Sequence, residues 1–250
     1  MKRTLLLIAA SCYIIPSICS AVIYTVPATA NIFSAGLASP VAPAGGGAGT
    51  LPVMVTLSSG ALQFSASGIV NYDGTVDVGP DGYPLDAGEN VNAYGGVSGY
   101  KGQTGALLGV FLSNATPAAP APSTIDFTTA GVGTSFLNLS PQIGQVFFIG
   151  DGQTAGHLAQ TFFVPNGATR LFLGIADCSG GSGDPGFYDD NVGSYSVNVV
   201  VPEPGSAALL GIGASLLLAF RFTGTTSTSY GHDSCDRRPR WHTLRCLIGP

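Results

Sequence analysis

Glycine and proline cut this chain into pieces too short for long helices. The sequence spreads 36 Gly and 17 Pro over 250 residues, and each is unfavourable inside a helix, by about 1 and about 3 kcal/mol relative to Ala. Between them lie short apolar runs, centred on residues 53–57, 61–67, 106–112, 145–149, 161–164, 170–176 and 194–200. In the last run Tyr195, Val197 and Val199 alternate with Ser194, Ser196 and Asn198, the period of a strand with one buried face. Seven such runs separated by Gly, Pro, Asn and Asp clusters predict an all-β domain, a single β-sandwich over residues 22–200. The low-complexity pieces 40–49 and 117–122 read as loops within it. Neither 45–49 nor 150–156 carries the Lys-Ser/Thr of a phosphate loop.

Charge narrows the function. Charged residues make up 9% of the chain, against about a quarter in an ordinary globular protein. Within residues 22–200 the bases are Lys101 and Arg170, while the acids are Glu89 and ten Asp. A chain so poor in bases is not a nucleic-acid binder. Its Asp-rich loops can serve as plain solvated turns or as the hard oxygen ligands that calcium prefers. Catalytic signatures are sparse. His157 is the one histidine of the domain, Glu89 its one glutamate, and no Gly-x-Ser-x-Gly elbow is present. Cys178 is the one thiol between the two ends, so the domain has no disulfide framework.

The two ends read as addresses. Lys2 and Arg3 precede an apolar run, and Cys19-Ser20-Ala21 offers small residues for cleavage after Ala21, which predicts a signal peptide over residues 1–21. Near the other end Pro202-Glu203-Pro204 opens an apolar run, 206–220, closed by Arg221. At 15 residues this run is shorter than the roughly 20 of a full span. The order Pro-Glu-Pro, apolar run and Arg resembles the PEP-CTERM sorting signal of Gram-negative bacteria. That resemblance implies that residues 201–221 form a hydrophobic sorting helix with transient contact to the inner membrane through 206–220. It also implies an exosortase that releases the protein to the cell surface or exopolysaccharide. Residues 222–250 continue past the point where such signals usually stop and read as a disordered tail. Their Cys235, Cys246, His232 and His242 lack the close pairing of a zinc finger.

The densest polar feature is the loop from Asp177 to Asn191, which joins the runs 170–176 and 194–200. Asp177 leaves one predicted strand, and Asp190 and Asn191 enter the next, so two carboxylates and an amide oxygen can meet. Such a cluster either builds a long turn or holds a divalent cation. The segments 170–177 and 185–197, with 64–72, 79–82 and 105–111, resemble the PA-IL-type galactose-binding lectins, which are calcium-dependent. The resemblance implies a jelly-roll-like, galactose-binding-like sandwich holding one Ca²⁺. Asp177, Asp190 and Asn191 would supply side-chain oxygens, and Tyr72 and Phe187 their backbone carbonyls. Carbohydrate would then meet the metal beside Tyr72, Asp177, Asp190 and Asn191. Two departures stand out. Residues 178–183 lengthen the loop, and the segment from 83 to 101 has no His or Gln to grip a sugar.

Taken together, these readings predict an exported, surface- or matrix-associated, non-enzymatic module that binds calcium and, through it, carbohydrate. The alternatives are a purely structural matrix protein without a ligand and, last, a hydrolase built around His157.

Overall fold

The computed structural model describes residues 22–57, 60–83 and 88–201. The signal peptide, the Pro202-Glu203-Pro204 signal, the apolar run 206–220 and the tail 222–250 lie outside the described residues. Among the described residues no helix is long and apolar enough to cross a membrane.

The chain is all-β, with helix limited among the described residues to single 3-10 turns. One sheet runs in the order β1 (Val22–Pro27), β13 (Val192–Val200), β3 (Ala61–Asn71), β10 (Thr161–Phe163) and β8 (Asn138–Leu139), with β4 (Asp77–Val78) paired to β3. The second has the order β2 (Val53–Thr56), β11 (Arg170–Gly174), β7 (Leu108–Leu112) and β9 (Val146–Phe148). A small third sheet joins β12 (Ser182–Gly183), β5 (Glu89–Val91) and β6 (Tyr100–Gly102).

Each of the seven predicted runs holds a strand. β13 shows why the pattern is readable: Tyr195 and Val197 are buried while Ser196 is exposed. Its neighbours fix the register, with Tyr195 opposite Val26 on one side and Gly68 on the other. β7 and β11 read instead as continuous apolar runs, because all of Leu108–Leu112 and Leu171–Gly174 are buried. The run at 106–112 begins its strand two residues late. The Leu107 carbonyl turns to accept from the amides of Ile149 and Gly150.

The first two sheets share one core. Val26, Leu62, Phe64 and Val197 of the first belong to the same buried cluster as Val55, Val110 and Leu171 of the second. Phe162 of β10 meets Phe147 of β9 with ring centroids 5.4 Å apart, and Phe64 at 5.0 Å. Each such side chain contributes about 1.5–3 kcal/mol on burial. Because β11 lies in one sheet and β13 in the other, the loop between them crosses the edge of the core. That crossing positions the candidate site.

Candidate functional site

Asp177 lies three residues past the end of the core strand β11 and is 5% exposed. Its Oδ2 accepts a 2.8 Å hydrogen bond from Asn191 Nδ2, which also donates to the Ala28 carbonyl at 3.2 Å. The two ends of the loop therefore meet, as the sequence predicts, although they come from different sheets. Tyr188 locks this closure from inside. Its buried hydroxyl donates to the Ile175 carbonyl and accepts from the Asp177 amide, each at 3.1 Å.

The low-complexity glycine run forms the bed of the loop. The carbonyls of Gly45, Gly46 and Gly47 accept from the amides of Phe187, Asp189 and Tyr188. Glycine is required here by backbone conformation, with φ 67° at Gly46 and 92° at Gly47, and a Cβ on Gly46 would also lie 2.4 Å from the Phe187 ring. Phe187 itself takes a left-handed backbone, φ 69°, at the start of the 3-10 turn Tyr188–Asp190. An L-residue adopts this conformation only when its surroundings hold it there.

Asp177, Tyr72, Phe187 and Asp190 line a single cavity of about 340 Å³. Asn191 stands outside that lining and reaches the site through its bond to Asp177. Asp190 is exposed at the rim. The cavity also includes groups that sequence reasoning passed over: Asp73, Glu89, Thr104 and the tip Ser179–Gly181. Glu89 is the most consequential. It lies on the short strand β5 and is 1% exposed. The extra residues 178–183 of the loop fold onto the same strand, since β12 pairs parallel with Asn90 and Val91. Asn92 then ties the tip down, its amide donating to the Gly183 carbonyl at 2.7 Å and its Nδ2 to Asp184 Oδ1 at 2.8 Å.

The electrostatics of this cavity are unusual for an acidic surface. Burial pushes the Asp177 carboxyl up to about 7, against the opposing pull of the Asn191 hydrogen bond. Burial, reinforced by the charge of Asp177, holds Glu89 well above the ordinary carboxyl range. Asp73, by contrast, is exposed and lowered, because its Oδ1 accepts from the amides of Thr75 and Val76 and the Thr75 hydroxyl. Of the five buried side-chain oxygens without a hydrogen-bond partner among the described residues, two belong to this site, Glu89 Oε2 and Asn191 Oδ1. Among the described residues no base lines the cavity to answer them. Lys101 is bound to Asp126 at 2.6 Å. Arg170 donates to the carbonyls of Ser113 and Ala115 and stacks over Phe172 at 5.3 Å.

Two further sequence readings find their places. His157 lines a different cavity, of about 220 Å³, with Asp81, Asp151 and Ser135. Cys178 is a buried free thiol, pushed up to about 12 by burial, which makes it a weak nucleophile. Among the described residues no three His, Cys, Asp or Glu side chains are gathered to hold a metal ion by themselves. A cation at Asp177 therefore needs amide or carbonyl oxygens as well as carboxylates. That is ordinary for calcium, which takes six to eight oxygen ligands of mixed kind.

No family model matches this chain. No curated protein matches it significantly either.

Proposed function

We propose that this chain is an exported, non-enzymatic module that binds one calcium ion at the Asp177 loop and presents it to carbohydrate. The observation that carries the reading is a pair of buried acids with no base beside them among the described residues. Asp177 and Glu89 share a cavity with no cationic side chain among the described residues, and Glu89 Oε2 and the Oδ1 of Asn191, which is bonded to Asp177, have no partner. Leaving a buried carboxylate ionised and unpaired costs several kcal/mol. A divalent cation relieves that cost for both acids at once. Asp177 and Asn191 supply side-chain oxygens, Asp190 adds charge from the rim, and the carbonyls of Tyr72 and Phe187 fill the shell. Vicinal sugar hydroxyls can replace water on a hard cation with open positions. The two-sheet core suits the jelly-roll-like architecture of the galactose-binding lectins that the sequence resembles. Delivery by the signal peptide and an exosortase would bring the module to a polysaccharide coat.

Melting with millimolar Ca²⁺ and with EGTA tests the metal, because an ion bound only by the folded chain raises its stability. The wild type gains several degrees from Ca²⁺ and Asp177→Asn gains none. Equal melting of the wild type in both solutions contradicts the reading. A glycan array run with Ca²⁺ tests the sugar, and binding that survives Asp177→Asn excludes this site.

One observation favours the rival reading of a structural matrix protein without a ligand. Asn191 already satisfies one oxygen of Asp177, so the loop closes without an ion. That reading predicts the equal melting just described.

A further inference from the structure

Glu89 is the buried acid that a ligand-free chain has least reason to keep. Among the described residues its Oε2 is the one buried carboxylate oxygen with no hydrogen-bond partner. The side chain is not free to turn outward, because β5 is held on both edges. Glu89 pairs with Gly102 of β6, and Asn90 and Val91 pair with β12. At Gly88 the chain passes so close to β6 that a Cβ would lie 2.2 Å from the Gly102 carbonyl oxygen. Lys101 cannot answer it. Lys101 sits opposite Asn90, one residue from the partner of Glu89, so the pleat sends the two side chains to opposite faces.

Glu89 lines the same cavity as Asp177. Among the described residues no three acids are gathered to hold one ion, and Glu89 and Asp190 are two alternatives in this cavity for a second acid beside Asp177. Asp190 is exposed and keeps its hydration, whereas Glu89 has already lost its own. The attraction is stronger where the surroundings are dry, and no further hydration of the acid is forfeited there.

We infer that Glu89 is itself a ligand of the cation, which lies between its carboxylate and that of Asp177, on the buried side of the cavity. The inference rests on the calcium reading above. On this geometry the ion joins β5 to the loop, and through β12 it steadies the extra residues 178–183. Asp190 acts from the rim as a charge rather than as a principal ligand. Positions on the solvent side remain for water or for sugar hydroxyls.

Calorimetric titration of Ca²⁺ into the wild type, Asp177→Asn, Glu89→Gln and Asp190→Asn tests this, paired with melting in EGTA. The wild type takes up one ion per chain and Asp177→Asn takes up none. Glu89→Gln weakens binding by at least about tenfold, while Asp190→Asn weakens it by about threefold or less, as a screened rim charge should. In EGTA, Glu89→Gln melts no lower than the wild type, since Glu89 Oε2 has no hydrogen bond to lose. With Ca²⁺ it gains less than the wild type. A merely structural Glu89 would move both melts together and leave affinity alone. Glu89→Asp keeps the charge with a shorter reach and gives an affinity between those of the wild type and Glu89→Gln. Unchanged affinity in Glu89→Gln, or a larger loss in Asp190→Asn, overturns the assignment and leaves the calcium reading standing. A wild type that takes up no Ca²⁺ overturns both.

Discussion

Two acids near the same small sheet meet opposite fates. Asp126 sits at the surface, where Lys101 donates to its Oδ2 at 2.6 Å and Thr128 donates to its Oδ1 from both amide and hydroxyl. Those bonds hold its carboxyl down at about 2, the Lys101 bond contributing most. Glu89, on the strand paired with that of Lys101, is buried, has one oxygen without a partner, and is shifted upward. Asp177 follows Glu89, at about 7. The contrast shows how this base-poor chain distributes charge. Its lysine serves an acid that water could have solvated anyway, while the buried acids have no base beside them among the described residues.

Acidity separates the two regions most strongly. An unfolded Asp gives up its proton near pH 3.8, but folded Asp177 keeps it to about 7. Between those values the folded chain binds more protons, so its stability falls as the pH rises through the window. In EGTA the chain therefore melts higher at pH 5 than at pH 7, by about 2 kcal/mol in stability. Glu89, shifted in the same direction, adds to this. Calcium competes with those protons, so its stabilising effect is largest above pH 7 and fades toward pH 5. Thermal melts across this range in EGTA and in Ca²⁺ check both signs. A flat EGTA profile would mean that Asp177 is not held dry.

The Lys101–Asp126 pair behaves in the opposite sense and on a smaller scale. Its folded carboxyl is lowered, so its contribution is full above about pH 4 and is lost as the pH falls toward 2. Both side chains are partly exposed, at 40% and 32%, so Asp126→Asn costs no more than about 1 kcal/mol at pH 7. Added salt reduces even that, and Ca²⁺ does not change it. Melting of Asp126→Asn in low and high salt measures the difference; a loss of several kcal/mol would break the contrast between the two regions.

How much of this was readable beforehand depends on the reach of each signal. β13 announces itself through five or more alternating positions, and β7 and β11 through unbroken apolar runs. The meeting of Asp177 with Asn191 was legible because one loop joins two strands that both enter the core. β5, β6 and β12 were not, because Glu-Asn-Val, Tyr-Lys-Gly and Ser-Gly hold no apolar run, whereas the equally short β9 and β10 carry Val-Phe-Phe and Phe-Phe. β1 was missed as well: Val22, Ile23 and Thr25 are exposed and only Val26 is buried, so its burial does not follow a clean alternation. Glu89 inherits the difficulty. It stood out as the domain's one glutamate, but it is buried where β6 and the loop tip meet β5, contacts that no local pattern encodes. The low-complexity run at 40–49 was legible as a loop, which the chain forms. Its part in seating Phe187 and Asp189 depends on contacts about 140 residues away along the chain.

The claim on which the rest depends is that the dry acids around Asp177 hold a cation. Diffraction from crystals soaked in Ca²⁺ tests it most directly. The account predicts one ion about 2.3–2.6 Å from oxygens of Asp177, Asn191 and Glu89, with Asn191 Nδ2 still bonded to the Ala28 carbonyl. A cavity that holds only water at millimolar Ca²⁺, with the Asp177–Asn191 bond unchanged, would contradict it.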